Sequence, residues 1–393
     1  MTTRNLENIT IHQFRGLKEL ELKELGQINL LVGVNNSGKT SVLEALSIYC
    51  DALNLRNWLT IARQREDVSS SSRTPPIDAL RWLFNKELPQ VGNIFISGNG
   101  EFSVRSVRAV YEDIEGIYFL DKSQRRRRAG ARYEQINDNE DEDETISDNE
   151  DTLEVARKGL DLKIEIYDGR STHLDGIHSN ITDSYQLWEN DFLLSRKPIN
   201  REVSLPISVV TPTSHRSNIG QIKLLSEASF HNFKSDVLDL LSQMDQNISG
   251  IDILVPPESI SFRFSIYIQH KKLGLVPISS FGDGVRRLLH IALKLASVKG
   301  GILLIDELES TIHTEALQNS FQWLVKWSKQ MNVQIFATTH SLEAVDALLA
   351  VNENASDLVL YRLEPKETQT KVVRHDWSRL KRLREELGQE VRW

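Results

Sequence analysis

The chain has 393 residues, is 40% hydrophobic and carries a formal net charge of −8. That length supplies a large core, enough for one enzymatic domain with a subdomain. The negative balance excludes a globally basic nucleic-acid binder, so any such contact has to come from a local patch.

Cys50 is the single cysteine, which excludes an intramolecular disulfide and a cysteine zinc site. The polar N-terminus lacks an apolar signal core, and no run approaches the roughly 18 apolar residues of a membrane span. These features predict a soluble, cytoplasmic protein with no membrane contact.

In chain order, Leu6 to Leu25 reads as a hairpin: Ile9 and Ile11 alternate, Arg15-Gly16 turns, and Leu20 and Leu22 alternate again. The apolar run Ile28–Val32 then reads as a buried strand. Gly33-Val34-Asn35-Asn36-Ser37-Gly38-Lys39-Thr40-Ser41 follows, and it fits the phosphate-binding pattern G-x-x-x-x-G-K-[ST]. Val42, Leu43, Leu46 and Tyr49 recur at helical spacing, so a helix leads out, and residues 41–64 read as helical. In such a loop glycines let several backbone N–H groups face one phosphate, and the helix N-terminus adds partial positive charge. Lys39 reaches the β- and γ-phosphates, and the Thr40 hydroxyl can hold Mg²⁺.

Ser69–Ser72 with Pro75-Pro76 reads as a loop, followed by a short helix from Ile77 to Leu88 and by strands from Asn93 to Asp121. Arg125–Arg128 and the acidic tract Asp138 to Glu154 cannot bury apolar surface, so disorder is expected over about 124–154. The arginines either touch a nucleic acid or partner, or pair loosely with the acidic tract. Leu160, Leu162, Ile164 and Ile166 alternate strictly. Residues 177–200 give a weak helical or loop-like signal. Val203 to Thr211 reads as a strand, residues 221–247 as helical, and Phe262 to Ile268 as another strand. The last third alternates helix and apolar strand: helix 284–298, strand Ile302–Ile305, helix 313–331, strand Val333–Ala337, helix 341–350, strand Leu358–Tyr361. Continuous apolar strands between helices predict a parallel sheet covered on both faces.

Polar groups stand at the carboxyl ends of these strands. Asp306-Glu307 follows Ile302–Ile305; the aspartate can hold Mg²⁺ opposite Thr40, and the glutamate can orient or deprotonate water. Glu309 and His313 either meet a second subunit or cap the next helix. His340, after Val333–Ala337, can hydrogen-bond a γ-phosphate. Gly282-Asp283-Gly284 opens a helix and makes a second phosphate-seeking surface. With a complete phosphate loop already present, that surface suits the nucleotide of a neighbouring subunit.

In this order the residues resemble the ABC-type ATPase superfamily. Gly33–Ser41 matches Walker A, Phe281–Arg287 stands where the signature loop belongs, Gly301–Glu307 matches Walker B, and Thr338–Ser341 matches the switch-histidine segment. Ile9 to Gly16, Asp306-Glu307-Leu308-Glu309 with His313, and Thr339-His340-Ser341 resemble the OLD/RecF/SMC-like group, nearest to the stand-alone ATPases called AAA15 or AAA21. The resemblance covers the first fifty residues or so and about the last hundred; the middle is unmatched. The transporter signature is absent, Gly282 standing at its serine position, and no glutamine loop can be placed. Arg216 is a candidate for that contact, or else a salt-bridge partner. OLD nucleases carry a Toprim domain after the ATPase; the about fifty residues that follow His340 are too few for one, so any effector is expected to be a separate protein.

The resemblance implies an α/β P-loop NTPase of ABC type, a mixed sheet with a parallel core flanked by helices, plus an antiparallel β lid and a helical arm. Residues 1–64 and 276–376 would form the ATPase domain, 65–275 the lid and arm, and 377–393 a C-terminal helix that docks a partner or packs on its own domain. ATP and Mg²⁺ are the implied cofactors. Glu307, His340 and Lys39 would serve catalysis; Gly33, Asn35, Asn36, Ser37, Gly38, Lys39, Thr40, Ser41 and, across the sandwich, Gly282, Asp283 and Gly284 would bind nucleotide; Thr40 and Asp306 would hold the metal. The implied function is an ATP-driven switch, dimeric or higher through an ATP sandwich, in a bacterial anti-phage defence system with a separate nuclease or toxin effector. A DNA-repair ATPase of RecF/SMC type, with a basic arm using Arg125–Arg128 and Lys271-Lys272, is the alternative; an ATP-binding scaffold with little turnover is a third.

Overall fold

Strand β3 (Ile28–Val32) is buried along its whole length, and its side chains divide between two cores. Leu31 packs with the helix that follows it, while Ile28, Leu30 and Val32 face the opposite side. The same split holds in β13 (Ile302–Ile305), with Ile302 and Leu304 on one face and Leu303 and Ile305 on the other. Period-two alternation with apolar residues on both faces is what a parallel sheet covered by helices requires.

The computed structural model describes residues 4–65, 74–88, 91–120, 153–172, 178–189, 203–256, 264–352, 357–366 and 369–393. Within the segment expected to be disordered, only residues 153–154 are described, at the start of a strand. Arg125–Arg128 and Ser69–Ser72 lie outside the described residues.

A six-stranded sheet runs β16-β15-β3-β14-β13-β9, where β9 is Ile207–Val210, β14 Gln334–Thr338, β15 Leu358–Pro365 and β16 Thr370–Asp376. Its pairings are parallel except for β15 with β16. A second sheet is antiparallel, in the order β2-β1-β5-β6-β7-β8: β1 Asn8–Phe14, β2 Leu17–Leu22, β5 Val91–Asn99, β6 Val104–Leu120, β7 Leu153–Thr172 and β8 His178–Trp188, with β4 (Asn85–Leu88) off β5. Helix α1 (Lys39–Cys50) is buried between the two sheets, its Val42, Leu46 and Tyr49 packed with Ile9, Ile96 and Leu304 in one core. On the other face of the parallel sheet lie α4 (Asn218–Phe230), α5 (Lys234–Met244), α6 (Asp283–Ser297), α7 (Thr314–Gln330) and α8 (Leu342–Val351), together with a three-stranded sheet of β10 (Ile248–Leu254), β11 (Ser265–His270) and β12 (Gly274–Pro277).

Several elements differ from the sequence reading. The helix over 41–64 is two helices, α1 and α2 (Leu55–Arg63), with Trp58 of the second buried and its indole donating to Ala52 O. The helix from Ile77 to Leu88 ends early: α3 covers Pro76–Arg81, and the chain turns at Trp82 to pair β4 with β5. Residues His178–Trp188 form a strand rather than a helix or loop. It is an edge strand whose Ile181, Tyr185 and Leu187 are only partly buried, so the alternation is too shallow to read.

Segment 65–275 is not one insertion in space. Its strand β9 pairs in parallel with β13, register Ile207 to Ile302, inside the sheet of the phosphate loop. The tail is not one helix over 377–393 either. A short helix α9 (Trp377–Lys381) continues into a π turn over Arg382–Glu386, and residues 387–393 then fold back.

Candidate functional site

The carboxyl ends of β3, β14 and β13 lie side by side, because these strands are neighbours in the sheet. In an open parallel sheet that edge is where ligands bind. From β3 the chain enters the phosphate loop at Gly33, whose φ of 148° and crowded surroundings exclude a side chain: a Cβ would stand 2.6 Å from Leu363 O. Gly38 has φ 95°, and a Cβ there would meet Leu17 Cδ2 at 2.6 Å. The loop therefore needs glycine at both positions for conformation and for space. Asn35 and Asn36 are exposed at the loop tip, while Ser37 is buried with its Oγ unpartnered among the described residues. Ser41, one residue inside the helix, meets Arg65, whose guanidinium also pairs with the buried carboxylate of Glu44. Lys39 Nζ donates to Gly33 O at 2.8 Å and Val34 O at 2.9 Å. Burial lowers its pKa, with Asp306 and Glu307 acting in the opposite direction.

The acidic pair stands against this loop. Thr40 Oγ1 lies 3.2 and 3.3 Å from the two carboxylate oxygens of Asp306. Thr338 Oγ1, at the end of β14, donates to Asp306 Oδ1 at 2.6 Å and accepts the Glu307 N–H at 2.8 Å. Glu307 sits in the left-handed region at φ 51°, a conformation that persists in a non-glycine residue only when its surroundings fix it. Thr338 fixes its N–H, and the guanidinium of Arg287 fixes its carbonyl. Glu309 Oε1 accepts the backbone N–H of His340 at 2.9 Å. Glu309 thus ties the acidic loop to the switch segment. His313, also weighed as a cap, has no side-chain capping bond and is largely exposed.

Gly282, Asp283 and Gly284 open α6 as expected, and they adjoin this loop within the same chain. A Cβ on Gly284 would stand 2.8 Å from Thr311 O, so glycine allows the helix start to touch the turn after Glu307. Asp283 is gripped by Arg216 at 2.9 Å and Arg286 at 3.0 Å, with the buried His215 at 3.5 Å. The hydrogen bond from Arg216 is the main cause that holds the Asp283 carboxyl below the usual range. Of the two alternatives for Arg216, the geometry gives the salt bridge.

The sequence reading assigns no site role to three residues at this edge. Arg287, fully buried, donates to Thr211 O, Asp306 O and Glu307 O at 2.9, 2.8 and 2.5 Å, so it braces the acidic loop from α6. In sequence it is one of two adjacent arginines on a helix. Thr338 is one hydroxyl in a Thr-Thr pair. Gln64, just past α2, lines a small cavity with Thr40 and Asp306; a glutamine at a helix end carries no pattern, and the break between α1 and α2 that swings it back was not readable.

Oxygen-only donors, the Thr40 hydroxyl and the Asp306 carboxylate, in a cavity that Gln64 also lines, suit a hard divalent cation. Among the described residues no cluster of three or more His, Cys, Asp or Glu side chains forms a metal site by itself.

Comparison with known proteins gives the family. Residues 28–346 match the AAA_21 family model, described as "AAA domain, putative AbiEii toxin, Type IV TA system". An "ATP/GTP phosphatase" of Helicobacter pylori is 22% identical over 361 residues, 87% of each chain. The DNA replication and repair protein RecF of Rickettsia massiliae is 23% identical over 376 residues, covering 87% of this chain and 96% of RecF. Among solved structures, the SMC head bound to the C-winged helix domain of ScpA aligns over 94% of this chain and 98% of its own, at 12% identity and a TM-score of 0.47. With the phosphate loop, the acidic pair and the histidine segment all inside the matched span, the chain belongs to the AAA_21 family of ABC-type P-loop ATPases.

Proposed function

We propose that the protein is an ATP-driven switch in which two copies enclose two ATP molecules, each between the phosphate loop of one copy and Gly282-Asp283-Gly284 of the other. The observation that carries this reading is the continuous hydrogen-bond chain from Thr40 through Asp306 and Thr338 to Glu307, at the ends of neighbouring strands. It aligns a metal-binding pair and a proton acceptor along one edge.

In this reading the N–H groups of the Gly33–Ser41 loop and Lys39 hold the phosphates. Thr40 and Asp306 hold Mg²⁺, and Gln64 takes the place of the glutamine that sequence alone could not locate. Bound there, the ion neutralises phosphate charge. Glu307 takes a proton from water as the water oxygen bonds to the γ-phosphorus and the bond to the β–γ bridging oxygen breaks, leaving ADP and phosphate. His340 contacts the γ-phosphate and couples its loss to separation of the copies. The antiparallel sheet and the helical arm act as lid and partner-holding surface.

The biological setting we propose is regulation of a separate effector, a nuclease or toxin, in a bacterial anti-phage defence system; the family's description as part of a toxin system supports that direction. The near full-length similarity to RecF favours one second reading, action on DNA. Glu307→Gln is expected to abolish phosphate release and trap an ATP-bound dimer, seen as a mass doubling by light scattering. Loss of turnover with no dimer overturns the sandwich. A salt-dependent shift of duplex ends, steep in salt as phosphate contacts demand, supports the DNA reading; no shift rejects it.

A further inference from the structure

We infer that Arg392 is a positioning residue for His340, and that residues 387–393 are a strap holding the switch peptide in place. This rests on the role proposed above for His340.

The His340 peptide is gripped from both sides. Its N–H donates to Glu309 Oε1 at 2.9 Å, and its carbonyl accepts from an Arg392 terminal nitrogen at 2.5 Å. Glu309 belongs to the loop after the acidic pair, so it reports what happens at Asp306-Glu307. Arg392 reaches it from the segment 387–393. A guanidinium on a carbonyl is a charge-assisted bond, stronger than a bond between neutral groups.

The strap is built to aim that one group. Gly388, with φ 58°, turns the chain back after the π turn, and Gln389 N–H donates to Leu383 O at 2.8 Å. Arg384 makes a two-pronged pair with Asp346 of α8 at 2.7 and 2.8 Å and donates to Gln389 O. Val391 is 1% exposed and packs in the same core as Leu380. Glu390 holds the other side of the Arg392 fork, both at 2.8 Å, and accepts the N–H groups of Val391 and Arg392. Glu390 is correspondingly held down at about 2, mainly by its bond to Arg392. With two of its nitrogens fixed by Glu390, Arg392 has one left to present, and it presents it to His340. Ser341, next in sequence, caps α8 by accepting the Ala344 N–H at 3.0 Å, so the peptide lies between a capped helix and the strap.

The test uses the full chain with Arg392→Ala, Arg392→Lys, His340→Ala and the double variant. It reads kcat, KM for ATP, the thermal midpoint, and deuterium exchange of the peptide over residues 338–344. Arg392→Ala is expected to lower kcat about tenfold with KM within about twofold, the size of one charge-assisted bond, and to speed exchange over 338–344. Arg392→Lys keeps a donor for the carbonyl but loses the fork that Glu390 holds, so it recovers only part of kcat. On a His340→Ala background, Arg392→Ala adds no further loss, since both act through one side chain.

A kcat within twofold of the parent in Arg392→Ala or a full additional loss on the His340→Ala background overturns the inference. If His340→Ala itself leaves kcat unchanged, the proposed role of His340 fails. The strap is then judged on exchange alone, supported by faster exchange in Arg392→Ala and overturned by unchanged exchange. Should Arg392→Ala not fold, Glu390→Gln loosens the fork and is expected to lower kcat about threefold; no change overturns the inference.

Discussion

The two large sheets of this molecule use their chain differently: the strands of the antiparallel sheet run up to 20 residues, those of the parallel sheet no more than 8. The parallel sheet buries both faces and keeps its polar chemistry at one edge, where β3, β14 and β13 end in Gly33, Thr338 and Asp306. The antiparallel sheet buries one face, with Ile11, Ile96, Val107, Ala109, Leu162, Ile164 and Ile166 packed against α1 and α2. Its other face carries His12 stacked on Phe95 at 4.3 Å, with the Arg108 guanidinium 5.0 Å from the same ring. The lesson is a division between strand ends and strand faces. Substitutions at the ends of the parallel strands should stop chemistry in a folded protein, and substitutions on the inner face of the antiparallel sheet should unfold a protein whose chemistry is intact.

The largest expected effect breaks the first half of that contrast. Lys39→Ala removes the charge from the phosphate loop and is expected to cut phosphate release at least about 100-fold, with the thermal midpoint little changed. Loss of turnover accompanied by early melting would mean that the edge is a folding element rather than a site. Arg287→Met comes next, because it probes where site and scaffold overlap. It removes the charged donor shared by the carbonyls of Thr211, Asp306 and Glu307, of which Thr211 O keeps Ser214 and Glu307 O keeps Ser310 as donors, at a cost of about 3–5 kcal/mol by denaturant titration. Turnover should also fall, since Glu307 loses the group that holds it at positive φ.

Ile164→Ala tests the other half. Ile164 is fully buried at the centre of β7, so the change should cost about 2–5 kcal/mol, while kcat measured well below the midpoint stays within about twofold of the parent. A fall in kcat without destabilisation would show that the antiparallel sheet reaches the chemistry directly.

The same contrast explains what the sequence allowed one to read. Ile302–Ile305 and the strands beside it were legible because a strand buried on both faces is a run of apolar residues with a sharp end. The groups of the site stood right after those ends, so Lys39, Thr40, Asp306, Glu307 and His340 could be named. Arg287 and Gln64 were not legible, because each reaches the edge from another element and only the packing of α6 and the turn after α1 bring them there. Strand β8 is lost to shallow alternation, and β9 is legible as a strand but falls within the segment assigned to the lid and arm, since its four residues carry no mark of their partner. Arg392 stood in a stretch read as one amphipathic helix; the reversal at Gly388 depends on a positive φ that a glycine permits without announcing.

The smallest expected effect separates the two halves by acidity. Three histidines are buried in the parallel-sheet half: His290 on α6 and His375 on β16, with both ring nitrogens unpartnered among the described residues, and His215 before α4, whose Nε2 lies 3.5 Å from Asp283. Burial is the largest cause in each case, pushing His290 down to about 3 and His375 down to about 4, with His215 lowered as well. Unfolded, each binds a proton near its ordinary value of 6.5. Between that value and the folded one the unfolded chain holds more protons, so stability is fully present above pH 6.5 and drains as the pH falls. From pH 7 to pH 6, His290 and His375 together should remove about 1.4 kcal/mol, roughly 0.7 each. Carboxylates held low, such as Asp283 and Glu390, stay ionised throughout that interval and add nothing to the slope. The loss should therefore register first as faster amide exchange in α6 and β16, ahead of β6 and β7. His290→Phe, which fills the site without a titrating ring, should flatten about half of the slope. An unchanged slope in that variant, or acid-induced opening that starts in the antiparallel sheet, would place the proton-sensitive groups in the other half of the molecule.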